Sequence, residues 1–369
     1  MITAIKKFIK KETVLFIAAL CAATTMFLVP PSLAYWHYID FRVLCLLFCL
    51  MGVVAGFKSL GAFQWLTYQL LRRIHSGRVL AVTLVMLPFF SSMLVTNDVA
   101  LLIFVPFTLT LLAQLGFEKS IIPVIVLQTV AANLGSMATP VGNPQNLFLY
   151  AAYDLGAGAF FGVTLPLTVI SFICLVAASI FTLPKELSKQ ELDRAEISSI
   201  RNLLIYGGLF VLCLLTVFRI IPYPVTTAVI IIALAVLNKH LLSEIDYMLL
   251  LTFVCFFIVS ENLGHVEAVR IFLQNLLERS TLLTAVGASQ IISNVPAAVL
   301  LSGFTDQWHP LLAGVNIGGL GTPIASLASL ITLKLYMRWP GAKVMRFIGA
   351  FMLANIVGLM LLLAFSLIF

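Results

Sequence analysis

The sequence predicts an all-α polytopic membrane protein, built as an inverted repeat with two re-entrant hairpins and two broken transmembrane helices. Three observations support this fold class: an apolar composition, a series of long apolar runs, and one string of residues that occurs twice. Of the 369 residues, 61% are hydrophobic and 10% are charged, and the mean hydropathy is +1.10. Soluble domains carry about 25% charged residues, so this chain lacks the polar surface that a soluble fold of its length needs.

Composition also excludes several classes of function. The six cysteines lie inside apolar runs without a CxxC pair, and the five histidines are scattered without an HExxH motif. Neither a metal enzyme nor a bound cofactor is therefore expected. No apolar segment pairs a nucleophile with a base, which argues against an enzyme. The net charge of +7 comes from residues that flank the apolar runs, so it indicates membrane orientation and not binding to nucleic acid.

The apolar runs predict the spanning helices, because a hydrocarbon core of about 30 Å needs about 20 helical residues. By number, the runs are 13–30, 41–57, 121–150, 160–183, 202–219, 223–238, 246–262, 310–337 and 345–368. Lysines precede the first run and Ser-Leu-Ala (32–34) follows it, a pattern that is also typical of a signal peptide. An uncleaved first helix is favoured because it completes the repeat described below.

Two further regions have the pattern of hairpins. Residues 79–115 hold two apolar runs that meet at Thr-Asn-Asp (96–98), and residues 281–304 hold two shorter runs that meet at Ser-Asn-Val (293–295). The arm 281–292 would reach only about 18 Å as a helix, which is too short to cross a bilayer. It must be re-entrant or packed inside the protein, and the first hairpin is interpreted in the same way because it corresponds to the second.

One string occurs twice. Residues 133–147 read NLGSMATPVGNPQNL and residues 316–330 read NIGGLGTPIASLASL, with Asn, Gly, Thr, Pro and the final Leu in register. The strings lie within the apolar segments 121–150 and 310–337, and the first segment would be about 45 Å long as one helix. Both segments are therefore predicted to be broken at their glycines and prolines. Paired broken helices are typical of a transporter's substrate site.

The two halves of the chain share one order of elements: helix, helix, interfacial stretch, hairpin, broken helix and helix. Ile-Asp opens a helix in each half, at Asp40 and at Asp246. We predict a first repeat at 1–183, a cytoplasmic linker with one extra helix at 184–222, and a second repeat at 223–369. Each repeat is predicted to cross the membrane four times, and one further helix stands between the repeats. The repeats must therefore face opposite ways, and the chain makes about nine full crossings.

The basic residues indicate the orientation. A cytoplasmic N-terminus leaves only Arg42, Arg219, Arg270 and Arg279 outside, as the positive-inside rule requires. We therefore predict a multi-pass protein of the inner or plasma membrane, with a cytoplasmic N-terminus and an outside C-terminus. The cytoplasmic set is Lys6, Lys7, Lys10, Lys11, Lys58, Arg72, Arg73, Arg78, Lys119, Lys185, Lys189, Arg194, Arg201, Lys239, Lys334, Arg338, Lys343 and Arg346.

The hairpin tips and the helix breaks together predict one binding site near the bilayer midplane. Unwound carbonyl groups can coordinate a cation, and half-helix N-termini with Asn, Thr and Ser side chains can hold an anion. A simpler interpretation of the tips is helix capping, since Thr, Asn and Asp are all good caps. The candidate substrate- or ion-binding residues are Thr96, Asn97, Asp98, Thr139, Gly142, Asn143, Asn146, Ser293, Asn294, Val295, Thr322 and Ser326, with a sodium ion expected near Asn97, Asp98 and Asn143.

These paired tips and breaks, within about residues 43–363, resemble those of the ion transporter superfamily. That group includes arsenite-efflux permeases, NhaD-type sodium/proton antiporters and divalent anion/sodium symporters with citrate-transporter-like domains. The resemblance implies a homodimer with an elevator motion, in which hairpins and broken helices form the mobile domain. Dicarboxylate symporters of the group carry Ser-Asn-Thr at both tips, whereas Thr-Asn-Asp and Ser-Asn-Val stand here. The Asn-Asp pair is similar to the arsenite-permease side of the group.

Asp98 constrains the solute. An ionised carboxylate there would repel an anion, and a charge at this depth costs about 2.5–3.5 kcal/mol unless it is partnered. Three outcomes are open: Asp98 is protonated because burial disfavours its charge, a bound cation neutralises it, or the solute is not a dianion. The first break, with Gly142 and Asn143 near Asp98, is expected to be the better-equipped ion site of the two.

The sequence therefore predicts a secondary active transporter for a small anion or oxyanion-like solute, coupled to a proton or sodium gradient. The solute class covers an inorganic anion, an arsenite-like solute or a carboxylate. One alternative is a sodium/proton antiporter in which Asp98 and Asn294 bind the cation. A second alternative is an anion channel, which two half-depth barriers from opposite faces argue against. The expected partners are the lipid bilayer, the small solute and a second copy of the chain.

Overall fold

The computed structural model describes residues 12–72, 74–186 and 196–368. Within these ranges the protein is helical and contains no β-strand, so the predicted all-α fold is confirmed. Short 3₁₀ turns precede α7 and α12. The helices are α1 (Thr13–Leu28), α2 (Tyr35–Tyr38), α3 (Phe41–Ser59), α4 (Ala62–Leu71), α5 (Gly77–Ser91), α6 (Asn97–Gln114), α7 (Ile121–Ser136), α8 (Pro144–Ala152), α9 (Ala157–Ser179), α10 (Ile200–Val217), α11 (Tyr223–Asn238), α12 (Tyr247–Gly264), α13 (Glu267–Ile292), α14 (Asn294–Ser302), α15 (Trp308–Ile317), α16 (Leu327–Met337) and α17 (Val344–Ile368).

Length and composition confirm a polytopic membrane protein. Among the described residues, eight helices are long and apolar enough to cross a membrane. They include α6, the second arm of the first hairpin, so the re-entrant insertion of that hairpin stays a prediction. Part of the predicted orientation rests on basic residues that lie outside the described ranges, namely Lys6, Lys7, Lys10, Lys11, Arg73, Lys189 and Arg194.

Both over-long apolar segments are broken, as the repeated string predicts. The first broken helix consists of α7 and α8, and the second consists of α15 and α16. In the first break, Asn143 ends the irregular stretch because its Oδ1 accepts a hydrogen bond from the Asn146 N–H (2.9 Å). Pro144 then occupies the first turn of α8, where its missing N–H costs nothing.

The two hairpins have tips of different length. Hairpin 1, formed by α5 and α6, turns through residues 92–96. Hairpin 2 is formed by the end of α13 and by α14, and only Ser293 separates them. Within α13, the extended backbone of Ser280 (φ −167°, ψ 100°) divides the predicted interfacial stretch from the hairpin arm, close to the predicted boundary at residue 281.

The two Ile-Asp pairs begin equivalent helices. The Oδ1 atom of Asp40 accepts a hydrogen bond from the Val43 N–H (3.0 Å), and Oδ1 of Asp246 accepts one from the Leu249 N–H (2.9 Å). Each aspartate therefore satisfies one of the free N–H groups of a first helical turn. This capping explains why α3 and α12 begin at the same motif.

The two halves of the chain contact each other reciprocally. Helix α6 of hairpin 1 packs on α16 of the second broken helix, and α14 of hairpin 2 packs on α8 of the first broken helix. In the same way α1 packs on α12, and α11 packs on α3. In each pair of contacts, replacing every helix by its equivalent in the other half turns the first contact into the second. A twofold relation between the halves requires this reciprocity. The pattern supports repeats at 1–183 and 223–369, a division that stays a prediction.

Helix α7 lies at the centre of the fold. It contacts α5, α6, α9, α16 and α17. Of the most apolar 18 residues in the helical span Glu118–Ser136, which includes α7, 72% are buried inside the protein, against 17% of the corresponding residues in α17. The polar side chains of α7 therefore face other protein groups, whereas α17 presents its apolar surface outwards. The first break consequently opens at the end of the most enclosed helix.

Close packing of α5 against α7 leaves no space for a side chain at Gly135 in α7. A β-carbon at Gly135 would lie 2.1 Å from the main-chain carbonyl oxygen of Phe89 in α5, and main chain cannot rotate away as a side chain can. We expect Gly135→Ala to reduce the stability by about 1–3 kcal/mol or more, measured as a lower thermal unfolding temperature in detergent.

The matched control for this prediction is Gly162→Ala in α9. No heavy atom lies within 4 Å of a β-carbon built at Gly162, and alanine is the better helix former by about 1 kcal/mol. The control should therefore unfold at the wild-type temperature or above it. Equal unfolding temperatures for the two variants would contradict the close approach of α5 and α7.

Candidate functional site

Each hairpin tip is held in the break of the broken helix that follows it. The Asn97 N–H donates a hydrogen bond to the Gly142 carbonyl oxygen (3.2 Å), and the Asn294 N–H donates one to the Ala325 carbonyl oxygen (2.9 Å). Gly142 and Ala325 occupy the same position in the repeated string. The same main-chain bond therefore closes both halves of the site.

A second pair of hydrogen bonds repeats this symmetry. The Thr139 hydroxyl donates to the Met93 carbonyl oxygen, and the Thr322 hydroxyl donates to the Gln290 carbonyl oxygen (3.2 Å). Each threonine precedes the proline of its string. Thr139 reaches the tip of hairpin 1, and Thr322 reaches the end of the arm that enters the tip of hairpin 2. Both predicted threonines thus attach a hairpin to a break.

Asn133 of α7 connects hairpin 1 with the second break. Its Oδ1 accepts hydrogen bonds from the Asn97 side-chain amide (3.0 Å) and from the Ser326 hydroxyl (3.0 Å), and its Nδ2 donates to the Ser329 hydroxyl (3.4 Å). Asn133 is buried. Since Ser326 follows Ala325, which holds the other tip, Asn133 brings the two hairpin tips into one network.

The side-chain amides of the first break are occupied in the same network. The Asn316 Nδ2 donates to the Asn146 Oδ1 (2.7 Å), and the Asn143 Nδ2 donates to the Asn316 Oδ1 (3.4 Å) and to the Ser136 hydroxyl (3.1 Å). The Asn146 Nδ2 donates to the carbonyl oxygens of Met137 and Thr139 (3.2 Å each). These amides fasten one half to the other and satisfy the first break from within.

Two candidate groups are left outside this network. Among the described residues, no side chain or main-chain group forms a hydrogen bond or ion pair with the Asp98 carboxylate or with the Asn294 side-chain amide. The Asn294 side chain is 4% exposed, and its nitrogen lies 2.8 Å from a β-carbon built at Gly319. Their polar atoms are not among the fully buried, unpartnered atoms of the described residues, which are Gln128 Oε1, Asn262 Oδ1 and Asn355 Oδ1. Both groups are therefore accessible to a ligand.

Helix capping does not explain the tips. The Thr96 side chain makes no capping hydrogen bond in α6, and Ser293 makes none in α14. The Ser293 hydroxyl donates instead to the Ala325 carbonyl oxygen (3.4 Å). Ser293 also has a positive φ of 76°, a conformation that costs about 1–3 kcal/mol in a residue other than glycine. Such strain is typical of functional sites.

The remaining predicted residues contribute in different ways. Val295 is buried and supplies no polar group. Around the predicted sodium ion, Asn97 and Asn143 belong to different hydrogen-bonded pairs, Asn97 with Asn133 and Asn143 with Ser136. The sodium site near Asn97, Asp98 and Asn143 stays a prediction.

Three amide side chains at the two breaks were absent from the predicted site, together with the hydroxyl groups of Ser136 and Ser329. Asn133 and Asn316 are the first residues of the two repeated strings, and an amide at equivalent depths of two apolar helices is the signal that identifies them. Gln290 stands beside Ser289 near the tip of hairpin 2, in an arm whose other polar residues are Thr281 and Thr284. A polar pair at that depth needs protein partners, and this need is the only sequence signal for Gln290.

Comparison with known proteins finds related transporters. A family model described as "Citrate transporter" (CitMHS) matches residues 1–313. The chain is 33% identical over 301 residues to the uncharacterized transporter MJ0456 of Methanocaldococcus jannaschii, covering 81% of this chain and 82% of the relative. It is 31% identical over 317 residues to the inner membrane protein YbiR of Escherichia coli, covering 84% of each chain.

A shorter match involves a plant protein. The silicon efflux transporter LSI3 of Oryza sativa subsp. japonica is 36% identical over 111 residues, which are 30% of this chain and 22% of the relative. The match is thus confined to one part of either protein. The family is established by the longer matches.

The Asn133 network can be tested by truncation. Asn133→Ala removes three hydrogen bonds from buried partners, and interhelical hydrogen bonds in membrane proteins contribute about 0.6–2 kcal/mol each. We therefore expect a loss of stability of about 2–5 kcal/mol, seen as a lower thermal unfolding temperature in detergent.

Asn355→Ala is the matched control. Asn355 is another fully buried asparagine, but its amide only donates to the Phe351 carbonyl oxygen one turn earlier in α17 (2.9 Å). Both variants remove the same volume, so the difference between them isolates the hydrogen bonds across the two halves. A loss in Asn355→Ala as large as that in Asn133→Ala would show that Asn133 acts only by filling space.

Proposed function

This chain belongs to the citrate transporter family CitMHS, and on that premise we propose that it is a secondary active transporter for a small anion or oxyanion-like solute, coupled to a proton or sodium gradient. The family makes the chain a membrane transporter. The solute, the coupling ion and the mechanism are the proposal.

One observation carries the proposal: two hairpin tips are docked in two helix breaks by the same hydrogen bond, and two groups beside them have no described partner. The bonds are those of the Asn97 and Asn294 N–H groups. Broken helices that expose main-chain groups at membrane depth are the usual solute and ion sites of secondary transporters. We assign ion coupling to the Asp98 carboxylate and solute binding to the Asn294 side-chain amide.

The composition of the site favours a solute of low net charge. The network around the tips consists of Asn, Ser, Thr and main-chain groups, and Asp98, which lies beside it, is the only ionisable side chain among the site residues named above. A citrate-like trianion would lie beside a carboxylate without a basic side chain to neutralise it. The names of the family and of the rice relative mention citrate and silicon. The site favours the smaller, less charged class.

An elevator motion in a homodimer is part of the same proposal. A cavity of about 350 Å³ separates α1 and α12 from hairpin 2 and α16, and its lining is apolar except near Ser293. Across this boundary the Ser260 hydroxyl of α12 donates to the Val299 and Leu300 carbonyl oxygens of α14 (3.1 and 3.3 Å). Few directional bonds would therefore break when one side slides past the other. We place the protein in the inner or plasma membrane with its N-terminus in the cytoplasm, as the basic residues predict.

The alternative is a sodium/proton antiporter. A single carboxylate without a described partner, at a tip surrounded by carbonyl and amide oxygens, also suits a cation as the transported species. Sodium or lithium, and not an anion, would then evoke proton movement. An anion channel is less favoured because both tips close the site by direct hydrogen bonds.

Asp98→Asn tests the coupling role. In proteoliposomes, we expect the variant to lose the dependence of solute flux on the proton or sodium gradient, with gradient-driven flux reduced at least about tenfold, equivalent to about 1.4 kcal/mol. The physical reason is that a carboxamide neither binds a proton reversibly nor attracts a cation. Flux is measured with a solute chosen by thermal shift, since ligands raise the unfolding temperature.

Glu261→Gln is the control for this test. Glu261 is an exposed acid near the end of α12, outside the network of the tips, so its neutralisation should leave flux and its gradient dependence unchanged. The thermal-shift panel contains arsenite, sulfate, phosphate, succinate, citrate, sodium and lithium. Unaltered flux and pH dependence in Asp98→Asn would remove the coupling role. A response to sodium or lithium alone would favour the antiporter.

A further inference from the structure

The side chain of Gln290 fills the second break. From α13 its Nε2 donates hydrogen bonds to the carbonyl oxygens of Gly318 and Leu320 (2.9 Å each), and its Oε1 accepts one from the Thr322 N–H (2.9 Å). One neutral amide therefore satisfies three main-chain groups that the interruption of the helix leaves free.

The position of Nε2 is one that suits a cation. In broken transporter helices, unwound carbonyl oxygens coordinate sodium, and hard cations take oxygen ligands. The Gly318 and Leu320 carbonyl oxygens both point at one nitrogen, which presents two partly positive hydrogen atoms to them. The amide thus supplies, without a net charge, the electrostatic complement that a monovalent cation would supply.

The backbone is shaped around this amide. Gly321 has a φ of +109°, and a β-carbon there would lie 2.1 Å from the Gln290 Oε1. Positive φ and the lack of space both require glycine at this position. The repeated string has alanine at the corresponding position of the first half, Ala138. Gly321 is therefore the residue that admits the Gln290 side chain to the second break.

The first half lacks this device. Met93 stands four residues before Asn97, as Gln290 stands four residues before Asn294, and a thioether has no hydrogen to donate. The Met137 carbonyl oxygen, which corresponds to that of Leu320, accepts instead from the Asn146 Nδ2 within the same broken helix (3.2 Å). An amide that crosses from hairpin to break is thus particular to the second half.

We propose that Gln290 is a specificity-determining residue: its carboxamide occupies the carbonyl cage of the second break, excludes a monovalent cation from it, and fixes hairpin 2 to the second broken helix. The inference rests on the proposed transport function. Because Gln290 keeps a cation out of the second break, ion coupling is left to the first half, which contains Asp98. The inference concerns binding, however, and its test needs no transport.

The conservative variant Gln290→Glu reverses the electrostatics at constant size. A carboxylate oxygen facing the carbonyl oxygens of Gly318 and Leu320 is repulsive, and a small cation between the three oxygens removes the repulsion. The variant should therefore acquire the cation site that the wild-type amide excludes. In choline chloride it should unfold at a lower temperature than the wild type.

The experiment measures thermal unfolding of the purified full-length protein in detergent, with sodium chloride exchanged for choline chloride at constant ionic strength. Sodium should raise the unfolding temperature of Gln290→Glu by about 3–6 °C more than that of the wild type, and the effect should saturate. The same difference is expected between Asp98→Asn alone and the double variant Asp98→Asn, Gln290→Glu. Sodium cannot bind at the Asp98 carboxylate in either of these proteins, so the difference reports the second break.

The matched control is Gln128→Glu in α7. Gln128 is also buried, and its Nε2 donates to one main-chain carbonyl oxygen, that of Leu84, and to the Thr108 hydroxyl (2.8 Å each). Its replacement introduces a buried acid without a cage of two carbonyl groups. It should lower stability in both salts alike. A sodium gain in Gln290→Glu no larger than in this control overturns the proposal.

Gly321→Ala provides a second route to the same result. Its added β-carbon displaces the Gln290 amide while leaving Gln290 in the sequence, so this variant should also gain a sodium response. The proposal is wrong if sodium raises the unfolding temperature of neither variant more than that of the wild type. It is also wrong if sodium stabilises the wild type and Gln290→Ala abolishes this stabilisation. Loss of the proposed transport function would appear separately, as unaltered gradient dependence of flux in Asp98→Asn.

Discussion

A helix that breaks at membrane depth leaves main-chain N–H and carbonyl groups that no water molecule can reach, and this constraint organises the molecule. Each break exposes a carbonyl oxygen, at Gly142 or Ala325, and each hairpin tip brings an N–H group to it. The hairpins therefore do more than line a site. They supply the hydrogen bonds without which the broken helices would not be stable, and the breaks in turn fix where the tips lie.

Beyond the main chain, the two halves meet this constraint with different side chains. The first half uses asparagines that bond to the other half or within their own helix, as Asn133 and Asn146 do. The second half uses Gln290, which reaches from hairpin to break. All these groups are neutral, so they satisfy polar groups without the desolvation penalty of charges. The Asp98 carboxylate remains as the group whose charge has no described partner, which suits a single coupling ion.

The sequence predicted the breaks and tips because glycine, proline and the repeated string report local backbone requirements. It could not assign side-chain partners, since these join residues far apart in the chain, as Asn143 joins Asn316. Ion binding by Asn143 stays a prediction, and the structure adds that its Oδ1 caps α8 and its Nδ2 bonds to the other half. The first break was expected to be the richer ion site, and most of its polar groups are engaged by one another. Periodicity carries no information about such engagement.

The distribution of hydrogen bonds bears on how such a protein moves. The bonds from tip to break join hairpins to broken helices, and the bonds from Asn133 to Ser329 and from Asn316 to Asn146 join the two broken helices to each other. Separating a tip from its break would leave buried polar groups unpaired, at about 1–3 kcal/mol for each group. Moving hairpins and broken helices together preserves every one of these bonds. The bonds that it would break are fewer, namely those from the Ser260 hydroxyl of α12 to α14 and those from Arg219 to the end of α8. The energetics of the network therefore favour displacement of one body over opening of a single gate.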